Sequence, residues 1–159
     1  MERDQALKFM HDLLRLMSQK NGSDLFITAN FPPAIKIDGK VTPVSNQVLT
    51  PQHTAELARS IMNDRQAADF ESSHECNFAI SPSGIGRFRV NALMQQGRVA
   101  VVCRTINMSI PTLDELGLPT VLKDIAMTKR GLVIFVGSTG TGKTTSLAAL
   151  VAHRNELRF

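Results

Sequence analysis

Residues 137–144 read Gly-Ser-Thr-Gly-Thr-Gly-Lys-Thr, meeting every fixed position of G-x-x-x-x-G-K-[ST]. Nothing else in the chain restricts the fold as strongly, because the pattern works only as the loop between a strand and a helix. Its flanks comply. The apolar run Leu132 to Val136 predicts a buried parallel strand, and Ser146 to Leu157 predicts a helix. Gly137, Gly140 and Gly142 let the backbone turn tightly enough for successive N–H groups to point at one phosphate group. The following helix N-terminus adds partial positive charge there. Lys143 reaches the β- and γ-phosphates as a point charge, and the Thr144 hydroxyl is suited to Mg²⁺. The expected ligand is ATP with Mg²⁺, held by Gly137, Ser138, Thr139, Gly140, Thr141, Gly142, Lys143, Thr144 and Thr145.

A phosphate loop accounts for only part of the charge. The 159 residues carry a net charge of +4, without Trp or Tyr and without a run of five basic residues. A stacking platform for nucleic acid is therefore missing, and the expectation is no nucleic-acid partner. Cys76 and Cys103 lack C-x-x-C spacing and lie in strand-like stretches, which predicts buried reduced thiols and a cytoplasmic protein. No signal-peptide pattern opens the chain, and its apolar runs are too short for a bilayer. Any membrane association is expected to be peripheral.

Upstream of the loop, residues 3–19 place Leu7, Met10, Leu13, Leu14 and Met17 at helical spacing, and Asn21-Gly22 ends that helix. Its apolar face is expected to pack on its own sheet rather than serve as a docking surface. Asp24 to Thr28 is a short strand. Ala34 to Ile37 and Val41 to Val44 flank Asp38-Gly39, a hairpin signal. Thr50-Pro51 supplies a cap and an N1 proline to a helix; Asn63-Asp64 breaks it, and a shorter helix runs to about Phe70. Three strands follow, Glu75 to Ser81, Gly86 to Met94 and Arg98 to Ile106, separated by turn compositions. Residues 1–106 thus predict an α+β domain with helices against an antiparallel sheet of five or six strands. Residues 107–118 read as a linker between prolines. Pro119 to Lys129 reads as a helix with Val121, Leu122 and Ile125 inward, opening an α/β P-loop domain over 119–159.

Within the second of the three strands, Phe88, Val90 and Ala92 alternate with Arg87, Arg89 and Asn91, and Arg104 lies on the next strand. One sheet face is apolar. The other is either a solvated polar face or a basic face aimed at a bound triphosphate.

After Thr144 no apolar strand ends in an acidic residue, so the Walker-B carboxylate and a glutamate to activate water are missing. The strand at 132–136 is also left without a parallel partner. The expectation is the front half of an ATPase, cut within its second domain and inactive alone.

Several stretches in order carry a family resemblance: Gly22-Ser23-Asp24-Leu25, Pro32-Pro33 with Asp38-Gly39, Gly86-Arg87-Phe88-Arg89-Val90, Ile110-Pro111-Thr112-Leu113, and Arg130-Gly131-Leu132 leading into the loop. The chain resembles the type II/type IV secretion ATPases, and within them the type IV pilus retraction ATPases. The resemblance implies a PAS-like N-terminal domain joined by the linker to a RecA-like ATPase domain. It implies a homohexameric motor on the cytoplasmic side of the inner membrane, coupling ATP hydrolysis to pilus disassembly and twitching motility. Related retraction ATPase subunits and the inner-membrane platform protein are the implied partners. In the family, arginines of the N-terminal domain approach the nucleotide phosphates. Arg87, Arg89 and Arg104 match those positions and join Lys143 as candidate catalytic groups. The alternative is a non-catalytic oligomerisation or partner-binding module.

Overall fold

The structure, a computed structural model, describes residues 2–107, 109–138 and 140–157. It divides into two compact units, residues 1–106 and 107–159.

Helix α1 (Arg3–Gln19) buries Ala6, Met10, Leu13, Leu14 and Met17, one face at helical spacing. Leu7, expected in that stripe, is half-buried, and Ala6 takes its place. The helix ends as the Asn-Gly pair predicts. Asn21 adopts φ 51°, its N–H donates to the Ser18 carbonyl (3.2 Å), and the Gly22 N–H donates to Met17 (2.8 Å). These two bonds form a Schellman motif, which satisfies carbonyls that the helix end would leave unpaired.

Strand β1 (Asp24–Ile27) pairs antiparallel with β2 (Ala34–Ile37). A two-residue turn, with Asp38 at φ 48° and Gly39 at φ 80°, carries the chain into β3 (Lys40–Pro43). Both turn residues have positive φ, the type I′ geometry that matches strand twist. Helix α2 (Pro51–Ser60) begins at a reciprocal cap: Thr50 Oγ1 accepts from the His53 N–H, and His53 Nδ1 accepts from the Thr50 N–H. Asn63 and Gln66 repeat that exchange at α3 (Asp64–Ser73). Helix α3 runs past Phe70 to Ser73 and equals α2 at ten residues, so it is not the shorter helix expected.

A meander of β4 (Glu75–Ile80), β5 (Arg87–Gln95) and β6 (Arg98–Ile106) follows. The six strands are ordered β3-β2-β1-β6-β5-β4, antiparallel at every pairing. Its core face carries Leu25, Ile27, Ile35, Phe78, Phe88, Val90, Ala92, Val101 and Cys103, packed with the inner faces of α1, α2 and α3. The alternation anticipated in β5 is present: Phe88, Val90 and Ala92 are fully buried while Arg87 and Arg89 are exposed.

The second unit contains α4 (Val121–Met127) and α5 (Lys143–Glu156). Leu113, Ala149 and Leu150 form its small core, with Leu116, Leu118, Leu122, Ala126 and Phe135 against them. Part of the stretch read as a linker is therefore folded into this unit. Arg154 Nη1 donates to the carbonyls of Ala126 and Thr128 (2.9 Å each), tying α5 to the end of α4.

Three expectations are corrected here. Leu132 to Val136 does not form a strand: no ladder bond is assigned, and Leu132, Ile134 and Val136 are 83%, 70% and 85% exposed. No other strand exists among the described residues of this unit, and an isolated strand has nowhere to place its N–H and C=O groups. Val121 points outward at 55% exposure because the neighbouring core is too small to take it. Helix α5 starts at Lys143, three residues before the predicted start.

Candidate functional site

The stretch that carries the phosphate-loop pattern lies between the extended segment and α5. Gly140 and Gly142 adopt φ 84° and 85°, left-handed values that cost a residue with Cβ about 1 kcal/mol or more. At Gly137 an added Cβ would lie 2.8 Å from Thr141 Oγ1, so that hydroxyl would have to move. Gly142 is the N-cap of α5, and glycine has no side chain with which to cap. The backbone N–H groups of Lys143, Thr144 and Thr145 at the first helical turn thus lack an intrahelical acceptor, and an anion is the natural one. Thr144 and Thr145 are exposed. Lys143 Nζ donates back to the Ser138 carbonyl and lies 3.4 Å from Thr141 Oγ1. Thr141 Oγ1 also donates to Ser138 O (2.8 Å). Lysine and loop thus form a closed ring around the Ser138 carbonyl. Thr139, also expected to contact phosphate, lies outside the described residues.

On the first unit, the solvent face of the sheet gathers two of the three arginines. Ladder register places Ala79, Arg89, Arg104, Asp24 and Lys36 in one row across β4, β5, β6, β1 and β2. Arg89 and Arg104 are direct cross-strand neighbours. Like charges so placed repel and favour an intervening anion. They line an open depression of about 320 Å³ together with Asn77, Asn91 and Val102. Asn91 Oδ1 is buried there without a hydrogen-bond partner. Arg87 sits opposite Ile106, two residues along β5 from Arg89, and is exposed. Arg98 pairs with Gln95 at the far end of the same hairpin and is remote from this row.

Sequence reading gave Asp24 no site role, placing it at the start of a strand and in the Gly22-Ser23-Asp24-Leu25 stretch that carries the resemblance. Its carboxylate is almost fully buried, at 6% side-chain exposure. Oδ1 accepts from Arg104 Nε (2.8 Å) and Oδ2 from Ser23 Oγ (2.8 Å). Burial pushes the carboxyl pKa up, but the bonds from Arg104 and Ser23 and the charges of Arg104 and Lys36 outweigh it, leaving the value below the ordinary range. The available signal was an acidic residue entering an otherwise apolar strand. Asn77 and Asn91 gave no such signal, since alternation marks them only as outward-facing.

Both cysteines are buried and free. Burial raises the Cys103 thiol to about 12, and burial with the charge of Asp69 raises Cys76. Among the described residues there is no cluster of three or more metal-ligating side chains, and no helix is long and apolar enough to cross a membrane.

No protein-family model matches the chain. Similarity to characterised proteins is nonetheless high. The chain is 58% identical over 144 residues to the type IV pilus ATPase PilU of Pseudomonas aeruginosa, covering 91% of this chain and 38% of PilU. It is 38% identical over 148 residues to the type IV pilus retraction ATPase PilT of the same organism, covering 93% and 43%. The crystal structure of the pilus retraction motor PilT with bound ADP superposes with a TM-score of 0.83 at 30% identity, over 91% of this chain and 43% of that one. The chain therefore spans about two fifths of the length of these relatives. It is a close homologue of PilU and PilT, matching the N-terminal portion of the type IV pilus retraction ATPases.

Proposed function

We propose that this chain is the N-terminal, nucleotide-loop-bearing part of a hexameric motor ATPase that couples ATP hydrolysis to type IV pilus disassembly and twitching motility. The observation that carries the reading is 58% identity to PilU over 144 residues, in a chain that carries the phosphate-loop pattern at 137–144. Supporting it are the uncapped first turn of α5 and left-handed Gly140 and Gly142, a geometry suited to phosphate. In this reading residues 1–106 are a PAS-like domain, 107–118 a connecting segment, and 119–159 the start of a RecA-like domain. The partners are further copies of the chain, related retraction ATPase subunits and an inner-membrane platform protein. Its place is in the cytoplasm against the inner membrane.

The cofactor is ATP with Mg²⁺. The Thr144 hydroxyl is exposed at the second helical position, and Mg²⁺ commonly takes one or two protein oxygens with phosphates and water completing its shell. One hydroxyl beside a phosphate cradle fits that donor set. Lys143 leaves the Ser138 carbonyl for the phosphates on binding. Arg89 and Arg104, with Arg87 beside them, supply cations that stabilise charge developing on the transferred phosphoryl group.

Calorimetry of ATP–Mg²⁺ binding tests this on the chain and on the chain joined to the portion of PilU it does not span. Binding is expected in the longer protein and lost with Lys143→Ala. Tight binding that survives Lys143→Ala refutes the site. In the longer protein Arg89→Ala is expected to lower kcat more than it raises KM; unchanged turnover returns Arg89 to a solvated sheet face. A second reading, a non-catalytic oligomerisation or partner-binding module, draws on the first unit's own complete core. Failure of both proteins to bind nucleotide would favour it.

A further inference from the structure

The row Arg89–Arg104–Asp24–Lys36 contains three cations and one carboxylate. Asp24 is engaged asymmetrically. It takes the Nε edge of Arg104 at 2.8 Å, whereas Arg104 as a whole side chain remains 71% exposed. The two terminal nitrogens form the outer edge of the fork, the edge that chelates phosphate oxygens in a bidentate manner. Gripping a guanidinium by Nε fixes its plane and removes rotamer freedom while leaving that edge unused. Asp24 is itself held: Ser23 Oγ bonds its other oxygen, and its backbone is paired on both sides by β2 and β6.

We infer that Asp24 is a positioning residue, which clamps Arg104 by Nε so that its terminal edge and the guanidinium of Arg89 face one phosphate group across the β5–β6 pair. The inference rests on the reading that this arginine face contacts phosphate. Asp24 touches no ligand itself; it acts through Arg104. The unpartnered Asn91 Oδ1 borders the same depression, and an amide turned over would offer N–H groups to the same anion.

Positioning and simple electrostatics predict opposite signs. Removing a carboxylate beside an anion site tightens anion binding if charge alone matters. If Asp24 pre-orders Arg104, its removal weakens binding, by about two- to tenfold for one long side chain that must be ordered on association. The experiment is a titration of the chain with inorganic triphosphate, followed at the arginine Nε–Hε resonances by NMR, so that events at the nucleotide loop are not counted. In the unmodified chain the slowed solvent exchange of the Arg104 Hε should persist at saturation while Arg89 and Arg104 both shift. Loss of that protection on binding would show Asp24 competing with the anion and overturn the inference. Asp24→Ala should weaken binding and Asp24→Glu should recover part of it. Equal or tighter binding in folded Asp24→Ala also overturns it. Should Asp24→Ala fail to fold, the unmodified titration decides. If Arg89→Ala and Arg104→Ala weaken binding and Asp24→Ala does not, only the positioning role falls. If triphosphate leaves both arginines unperturbed, the phosphate-facing reading itself falls.

Discussion

Gly22→Ala is the substitution that tests most sharply how α1 is joined to the sheet. A Cβ at this position would lie 2.4 Å from Ile35 Cγ2 and 2.9 Å from Met17 Cγ. Both neighbours are fully buried, and the Ile35 atom is a branch methyl fixed close to its own backbone. The glycine backbone has little freedom to retreat. Its N–H donates to Met17 (2.8 Å), its carbonyl accepts from Thr105 Oγ1 (3.1 Å), and the next N–H donates to Lys36 (2.9 Å). Overpacking of this kind costs about 1–3 kcal/mol, and with backbone and side chain both pinned the upper half of that range is expected. Two to three kcal/mol corresponds to a fall in Tm of about 10–20 °C for a unit of this size. The chain has no Trp or Tyr, so urea and thermal unfolding are followed by far-UV circular dichroism. The decisive control is Ile35→Ala, which deletes the clashing methyl. In that background Gly22→Ala should cost less than about 1 kcal/mol, giving a large coupling in the double-mutant cycle. A cost below about 0.5 kcal/mol for the single change, or additive costs in the cycle, would refute the close-approach argument.

The remaining expectations concern ionisable groups. Because the folded pKa of Asp24 is depressed, its stabilisation is fully present above the ordinary aspartate value of 3.8 and is lost as pH falls through the lower folded value. Asp24→Asn should therefore be less stable than the parent at neutral pH, by about 1 kcal/mol given the exposure of Arg104, and the gap should close on acidification; a pH-independent gap contradicts the assignment. Cys103, with its thiol raised to about 12, should resist iodoacetamide at pH 8 in the folded chain and react fully in urea. Mass spectrometry reads the difference, and rapid native labelling would contradict the burial.

The two units differ in how much of each was legible in sequence. In residues 3–106 the local signals agree with the global arrangement: Asn21-Gly22 stops α1, Asp38-Gly39 turns the hairpin, Thr50-Pro51 caps α2, Asn63-Asp64 divides α2 from α3, and alternation in β5 sets the buried face. Each depends on a few adjacent residues, so pattern reading reaches it. Leu132 to Val136 failed as a strand because a strand is a relation between segments, and no partner is present among the described residues of that unit. The phosphate-loop pattern could be stated as an expectation for the opposite reason, since its glycines and lysine stand within eight consecutive positions. For Asp24 the sequence offers only an acidic residue in an apolar strand, because its partner Arg104 lies 80 residues away.

The strand order has a kinetic consequence. The sheet β3-β2-β1-β6-β5-β4 consists of two meanders, each zipped through short turns, and they meet only at the seam between β1 and β6. Hairpins form within microseconds, whereas the seam must close a loop of about 80 residues before its first pairing is rewarded. The speed with which this unit assembles is therefore set at one line through its middle, where Leu25 meets Cys103 and Asp24 meets Arg104. The apolar floor beneath α1 and α2 exists only once that line has closed.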